Sequence, residues 1–505
     1  MIKIEIKRNV YYDSVSLMLL TKDIKAIDGV NNANICMATD HNKQLLKNIG
    51  LLSDEANKCG PNDLIIAVDA NEEAISSVIK LISEGMNKKQ QTSNASCKIK
   101  SLKQAIENNE KSNLVVISVP GEYASYEAER AIKAGKHVML FSDNVSLENE
   151  IRLKKLAKEN QVLMMGPDCG TAIINGRPLC FANKVKSGRI GIVGASGTGI
   201  QEVSCLIDTY GGGITHAIGT GGRDLSLEVG GVMMEMGIEA LANDNDTDVI
   251  VLISKPPHPE VADKIIEQAR NIDKRFVINF LGEKRESIDN ITFCSTLEKT
   301  AIQAVNITSN ASEAMSEFYG IPDIMIDTKL RPEQKYIRGL FAGGTLCDEA
   351  LLIAREEISP IYSNNHIDKI ISLDDPYKSY HNTFVDLGDD IFTRGKPHPM
   401  IDTENRNLRI VQESMDPEVA VILLDFVLGY GSHDDPAGSA IPYIQKARKN
   451  NSELQFIASI TGTRQDPQDF NRQYQVLIDN GVVVASSNAQ AAKLAISMVK
   501  ELVYD

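Results

Sequence analysis

The sequence predicts an α/β fold, with several doubly wound parallel-sheet domains following a small α/β module. Three features carry that prediction. Short continuous apolar runs, such as LVVISV at 114–119, recur along the chain; helical periodicity follows most of them; and Gly-rich turns join run to helix. At roughly 150 residues per domain, the 505 residues make three or four domains, placed at 1–95, 100–187, 188–328 and 329–505.

In order, residues 2–6 alternate apolar and charged side chains as a half-buried strand does, and Asp13 is placed to cap a helix filled by Val15, Leu17, Met18, Leu19 and Leu20. Strands at 33–38 and 64–68 and a helix at 72–83 complete the first module, and the polar, aperiodic stretch 88–100 reads as a linker. Strands at 114–119, 138–141 and 162–165 then alternate with helices at 123–134 and 147–159, which implies a parallel sheet covered on both faces. GPDCGT (166–171) leaves the carboxyl end of the last strand, the edge where open α/β sheets hold ligands. The third unit has strands at 190–193, 215–218, 249–253 and 276–279, and the fourth at 337–341, 383–386, 419–424, 455–460 and 482–485.

Composition narrows the function. Hydrophobic residues make up 43% and charged residues 24%, as in ordinary globular proteins. A formal net charge of -15 argues against nucleic acid or anionic membrane as a partner, since both demand a basic face. Eight scattered cysteines form no C-x-x-C pair, which predicts reduced thiols in a cytoplasmic protein and no metal site. The opening MIKIEIKRNVYYDS has no apolar secretion core, and no run approaches the roughly 18 apolar residues of a membrane span.

Two turns are candidates for phosphate binding. RIGIVGASGTGIQEV (189–203) runs from a strand through Ser196, Gly197, Thr198 and Gly199 into a helix, and YIRGLFAGGTLCDEA (336–350) does the same through Gly343, Gly344 and Thr345. A helix start presents unpaired N–H groups, and small residues let an anion approach them. Two helix ends supply about +1 charge against the roughly -1.5 to -2 of a phosphate monoester, so basic side chains must complete the site. Strand-end candidates are Arg223, Lys255, Arg394, Lys396 and Arg464, with His398 as hydrogen-bond donor or proton carrier. Arg223, Arg394 and His398 are read as catalytic, and Gly222, Lys255, Asp386, Asp389 and Arg464 as substrate-binding. Asp386, Asp389 and Asp390 are expected to order Arg394 rather than hold a metal. Cys169 is read as a packed thiol, His258 as structural, and His433, Asp434 and Asp435 as a helix cap with solvated charge.

With these turns in hand, the chain resembles the FdrA family, a branch of the succinyl-CoA synthetase-like proteins. The resemblance runs through DSVSLM, GEYA, FSDNV, GPDCGT, GASGTGIQE, THAIGTGGRDLS, SKPP, GGTL, DLGDD, KPHPMID (Lys396 replacing the family's Arg), TGT and DPQ. It implies that 100–187 is a Rossmann-like CoA-binding-type domain, 188–328 a synthetase α ligase-like domain and 329–505 a synthetase β C-terminal-like domain. In the synthetase two helices, one from each subunit, point at one phosphoryl group; by resemblance the turns at 196–199 and 343–345 do so within one chain. The synthetase's phosphohistidine loop has no counterpart, since 281–293 contains no His, and its ATP-grasp portion is missing. Glu122 and Asp143, in the segments resembling its CoA contacts, are poor neighbours for CoA's phosphates.

What the FdrA resemblance implies is a subunit of oxamate carbamoyltransferase in purine (allantoin) catabolism, converting oxalurate and phosphate into oxamate and carbamoyl phosphate. No cofactor is then required; the partners are a small anionic substrate, phosphate, separate subunits of a transcarbamylase oligomer and a downstream carbamate kinase. Phosphate would add to the ureido carbonyl, with Thr198, Thr345 or Arg223 stabilising the oxyanion. Arg223→Ala is then expected to lower turnover without unfolding the chain. An acyl-CoA synthetase-like subunit, using CoA with a separate nucleotide-binding chain, is the alternative. A non-catalytic scaffold or phosphometabolite sensor is a third reading.

Overall fold

The Ile–charge alternation of IKIEIK makes a strand that half-buries Ile4 and Ile6 on one face, β1 (Ile2–Lys7). It is followed by α1 (Ser14–Lys25), β2 (Val30–Met37), β3 (Leu64–Ala70) and α2 (Glu72–Gln91) in an antiparallel sheet of order β1-β3-β2. Central β3 is apolar on both faces, with Leu64, Ile66 and Val68 in one cluster and Ile65 and Ala67 in another. The computed structural model describes residues 2–8, 10, 14–39, 42–43, 46–47, 49–91, 99, 101–308, 330–394 and 396–501. Asp13, the expected cap, lies outside them, as does most of the expected linker; α2 continues past the expected end at 83 as far as Gln91. Contacts divide the chain into two units, Met1–Lys100 and Ser101–Asp505.

The second unit begins with β4 (Leu114–Ile117), α3 (Gly121–Lys133), β5 (His137–Leu140), α4 (Leu147–Glu159) and β6 (Met164–Met165), whose strands pair in parallel in the order β4-β5-β6. β4 is an edge, and Val116 on it is 50% exposed, so the double cover expected for this sheet is incomplete. A hairpin that the apolar runs did not announce follows, β7 (Thr171–Ile174) and β8 (Arg177–Cys180), turning on Asn175 and Gly176, both with positive φ. That is the two-residue turn whose twist matches antiparallel strands.

The hairpin extends a seven-stranded sheet of order β13-β12-β11-β9-β10-β7-β8. Its other members are β9 (Ser187–Ala195), β10 (Ile214–Gly219), β11 (Val249–Ser254), β12 (Arg275–Phe280) and β13 (Ile291–Phe293), covered by α5 (Gly197–Thr209), α6 (Val232–Ala242), α7 (Pro259–Arg270) and α8 (Leu297–Thr308). A second seven-stranded sheet, all parallel, has the order β16-β15-β17-β14-β18-β19-β20. It comprises β14 (Tyr336–Phe341), β15 (Ile361–Ser363), β16 (Ile371–Ser372), β17 (Asn382–Asp386), β18 (Val419–Val427), β19 (Gln455–Thr461) and β20 (Val483–Ala485). With it go α9 (Gly344–Ala354), α10 (Asp390–Thr393), α11 (Glu404–Glu413) and α12 (Asn488–Glu501). One apolar core unites the two sheets, since Ile192, Ile200 and Val203 cluster with Leu346, Ala350 and Ile457. That shared core brings α5 and α9, each following a central strand, side by side.

Candidate functional site

Both Gly-rich turns form helix starts, and they touch. Ser196, in extended conformation, caps α5 by accepting a bond from the Gly199 amide at 3.0 Å. Its Oγ also lies 2.6 Å from the Thr345 Oγ1 of α9, and both residues are buried. Gly343 leaves the other turn open to Thr198: a Cβ there would sit 3.0 Å from the Thr198 methyl. At Gly344 a Cβ would lie 2.4 Å from Asp386 Oδ2 and 3.1 Å from the Lys255 ammonium, so only glycine lets these groups converge on the helix start.

The two ends are held differently. α5 has its neutral serine cap, whereas Asp425 of β18 accepts bonds from the Ala342 and Gly343 amides, each at 2.7 Å. Asp425 is fully buried, and the buried Arg406 of α11 lies 3.5 Å from it. The carboxylate thus takes the amides just ahead of α9 and leaves those of its first turn for an incoming anion.

Charged side chains surround the junction. Lys255, from the KPPHP turn after β11, pairs with Asp348 of α9 at 3.2 Å. Burial works against its charge, but Asp348 and Asp386 outweigh that and raise its pKa. Burial also pushes Asp386 up to about 7, with Lys255 opposing and Asp348 adding to the shift. Asp168, in the GPDCGT turn, is raised to about 6 by burial and then by Asp143 and Asp390, while Lys255 and Arg223 pull it down. Although those neighbours crowd it, Asp168 keeps access to solvent. Five turns therefore converge at the carboxyl ends of the strands, where open α/β sheets hold ligands.

Other expected residues fare unequally. Arg223 is only half-exposed; its guanidinium donates to Val145 O and pairs with the buried Glu150, each at 2.8 Å, so its mutation would disturb α4 as well as any ligand. Beside it Gly222 is exposed with open space around it. Asp389 caps α10 by accepting from the Ile391 amide at 2.9 Å, and it is Asp390 that feels the charge of Arg394. The His398 Nδ1 accepts from the Met400 amide at 3.2 Å, and burial lowers its pKa to about 4 against the pull of Asp143. His398 is therefore neutral near pH 7, with Nε2 carrying its proton as a donor. Among the described residues, exposed Lys396 reaches only Asn405, at 3.4 Å.

Arg464 stays outside the cluster. It is exposed after β19, a strand separated from β14 by β18, and its neighbours Thr463 and Asp466 bond to Lys184. Cys169 is buried, and burial pushes its thiol up to about 12. His433 accepts from the Asp435 amide, and Asp435 caps the helix Pro436–Asn450. Among the described residues no group of three or more His, Cys, Asp or Glu is placed to hold a metal ion, and no helix is long and apolar enough to cross a membrane.

Sequence reasoning passed over Asp168 and Asp425. A signal existed for the second, because a lone carboxylate inside the apolar run of β18 must be bonded where it is buried. Behind the junction, Glu202 of α5 accepts from the Asn488 amide at 3.1 Å, and Glu349 of α9 accepts from the Leu297 amide at 2.7 Å and the Asn488 side chain at 2.8 Å. Burial raises them to about 7 and about 6.

Comparison with known proteins now defines the class. A CoA-ligase family model matches residues 340–498, a CoA-binding domain model residues 185–282, and a model described as AllF, heavy metal-associated domain, residues 1–102. The chain is 46% identical over 503 residues to YahF of Escherichia coli, an uncharacterized protein, covering 98% of each. Over 159 residues it is 26% identical to subunit alpha 2 of an ADP-forming succinate–CoA ligase of Archaeoglobus fulgidus, which is 31% of this chain and 54% of that subunit. Among solved structures, a dinucleotide-forming acetyl-coenzyme A synthetase of Ca. Korarchaeum cryptofilum covers 77% of this chain and 84% of its own at 13% identity, with a TM-score of 0.32. The matched models and ligase relatives place the chain in an acyl-CoA synthetase-like class. It belongs, specifically, to the family of YahF. These findings correct the expectation of an oxamate carbamoyltransferase subunit: they support a CoA-ligase-type protein instead.

Proposed function

We propose that this chain is a subunit of an acid–thiol ligase of the acyl-CoA synthetase kind, with CoA as a substrate and a separate nucleotide-binding chain as partner. The finer placement, in the FdrA branch, is also a proposal and rests on the motif series. The observation that carries the ligase reading is the 2.6 Å contact between Ser196 and Thr345, because it joins a helix start from the CoA-binding match to one from the CoA-ligase match. Two such ends hold a phosphoryl group better than either alone.

With no histidine in 281–293, the group held at the helix starts is an acyl phosphate. The thiol sulfur attacks its carbonyl carbon, the bond from that carbon to the phosphate oxygen breaks, and phosphate leaves. Asp168 takes the thiol proton, while Lys255 and the first-turn amides of α5 and α9 stabilise the charge of the departing phosphate. CoA's own phosphates would lie away from Glu122 and Asp143.

The test is calorimetric CoA binding by the full chain, together with thioester formation from acetyl phosphate and CoA. A dissociation constant on the order of 10–100 μM and a turnover lost in Gly344→Ala are expected. No CoA binding at about 1 mM would sink the proposal.

A further inference from the structure

A cavity of about 490 Å³ opens beside the last turn of α9, between the loop after β12, the start of α8 and one face of α12. It stands apart from the cleft holding Asp168 and Lys255, and its walls are apolar at Leu281, Leu352, Ile353 and Ile496. A volume of this size suits a small organic molecule.

The charges around it are not balanced. Each acidic residue of the wall is already committed: Glu283 to Arg285 at 2.6 Å, Glu356 to Lys284 at 3.7 Å, Glu357 to Lys500 at 2.5 Å, and Glu349 to the Leu297 amide and Asn488. Two lysines on facing elements remain. Lys299 of α8 reaches only Ser295 Oγ, at 3.5 Å, and Lys493 of α12 feels Glu349 without pairing with it. Among the described residues neither ammonium has an ion-pair partner, although the chain carries a net charge of -15. An apolar pocket with two uncommitted cations suits an anion with a hydrocarbon body: apolar contacts give the affinity and the charges select its sign.

We propose that this cavity is a binding site for a small amphipathic carboxylate, its head group held by Lys299 and Lys493 and its hydrocarbon on Leu281, Leu352, Ile353 and Ile496. The proposal is independent of the ligase reading. Its probes are octanoate, octylamine and octanol, three molecules that share a chain and differ in charge, titrated calorimetrically into the full protein. Octanoate binds with a dissociation constant below about 1 mM and octylamine at least about tenfold more weakly. Lys299→Gln and Lys493→Gln each weaken octanoate about tenfold and leave octanol unchanged; both lysines are exposed, so an unaltered thermal midpoint is expected. Equal affinity for octanoate and octylamine would overturn the proposal. So would unchanged octanoate binding in both variants, or no octanoate binding at about 10 mM.

Discussion

Replacing Ser196 and Thr345, singly and together, tests whether the two helix starts meet. In Ser196→Ala the Gly199 amide loses its cap, which costs about 1 kcal/mol, and the hydroxyl pair disappears, which costs about 1 kcal/mol more. Thr345→Val keeps the volume and loses only the pair, about 1 kcal/mol. Independent losses would sum to about 3 kcal/mol, but the pair can be lost only once, so the double variant loses about 2 and leaves a coupling of about 1 kcal/mol. Urea unfolding followed by circular dichroism, fitted to the transition of residues 101–505, measures the wild type and all three variants. A coupling below about 0.3 kcal/mol means that the hydroxyls do not bond, and the joint phosphoryl site loses its geometric basis.

Two more predictions concern buried carboxylates. The unfolded chain releases the Asp386 proton near 3.8, whereas the folded chain holds it to about 7. Across that window the folded state binds more protons, so this residue's contribution to stability falls as pH rises and levels off above the folded value. Asp386→Asn should therefore become more stable relative to wild type between about pH 4 and pH 8; parallel thermal midpoints across that range would contradict the assignment. Asp425→Ala removes two amide acceptors and leaves the Arg406 guanidinium buried, a loss of about 3–5 kcal/mol by urea unfolding. A loss under about 1 kcal/mol would mean that the start of α9 does not depend on it.

Much of this was legible because buried parallel strands announce themselves. Residues 249–253 and 419–424 are uninterrupted apolar runs, and both became interior strands, the first extended by the polar Ser254 and the second carried past Asp425 to Val427. The hairpin β7–β8 was missed because its strands are short and carry Thr, Arg and Pro, yet Asn175-Gly176 was a readable turn signal. Among site residues, Ser196 and Thr345 lie within the two Gly-rich turns the sequence singled out, and the structure brings them into contact. Residues assigned only because they end a strand depended on sheet order, which local sequence does not encode; Arg464 lies beyond β18 for that reason. Asp168 eluded the sequence because its environment is made by Asp143, Asp390, Lys255 and Arg223, which come from four distant segments.

The contact between Ser196 and Thr345 spans 149 positions of one polypeptide. Where the two helix starts belong to separate chains, the fraction of protein with a complete cleft depends on how much of each chain the cell contains. Tethering replaces that dependence with a fixed effective concentration, on the order of millimolar for a flexible connection. The seam behind the cleft can then hold groups that contribute little to association, such as Glu202 and Glu349, both fully enclosed. A dilute solution of this protein should therefore keep its cleft whole at concentrations where a two-chain version would have come apart.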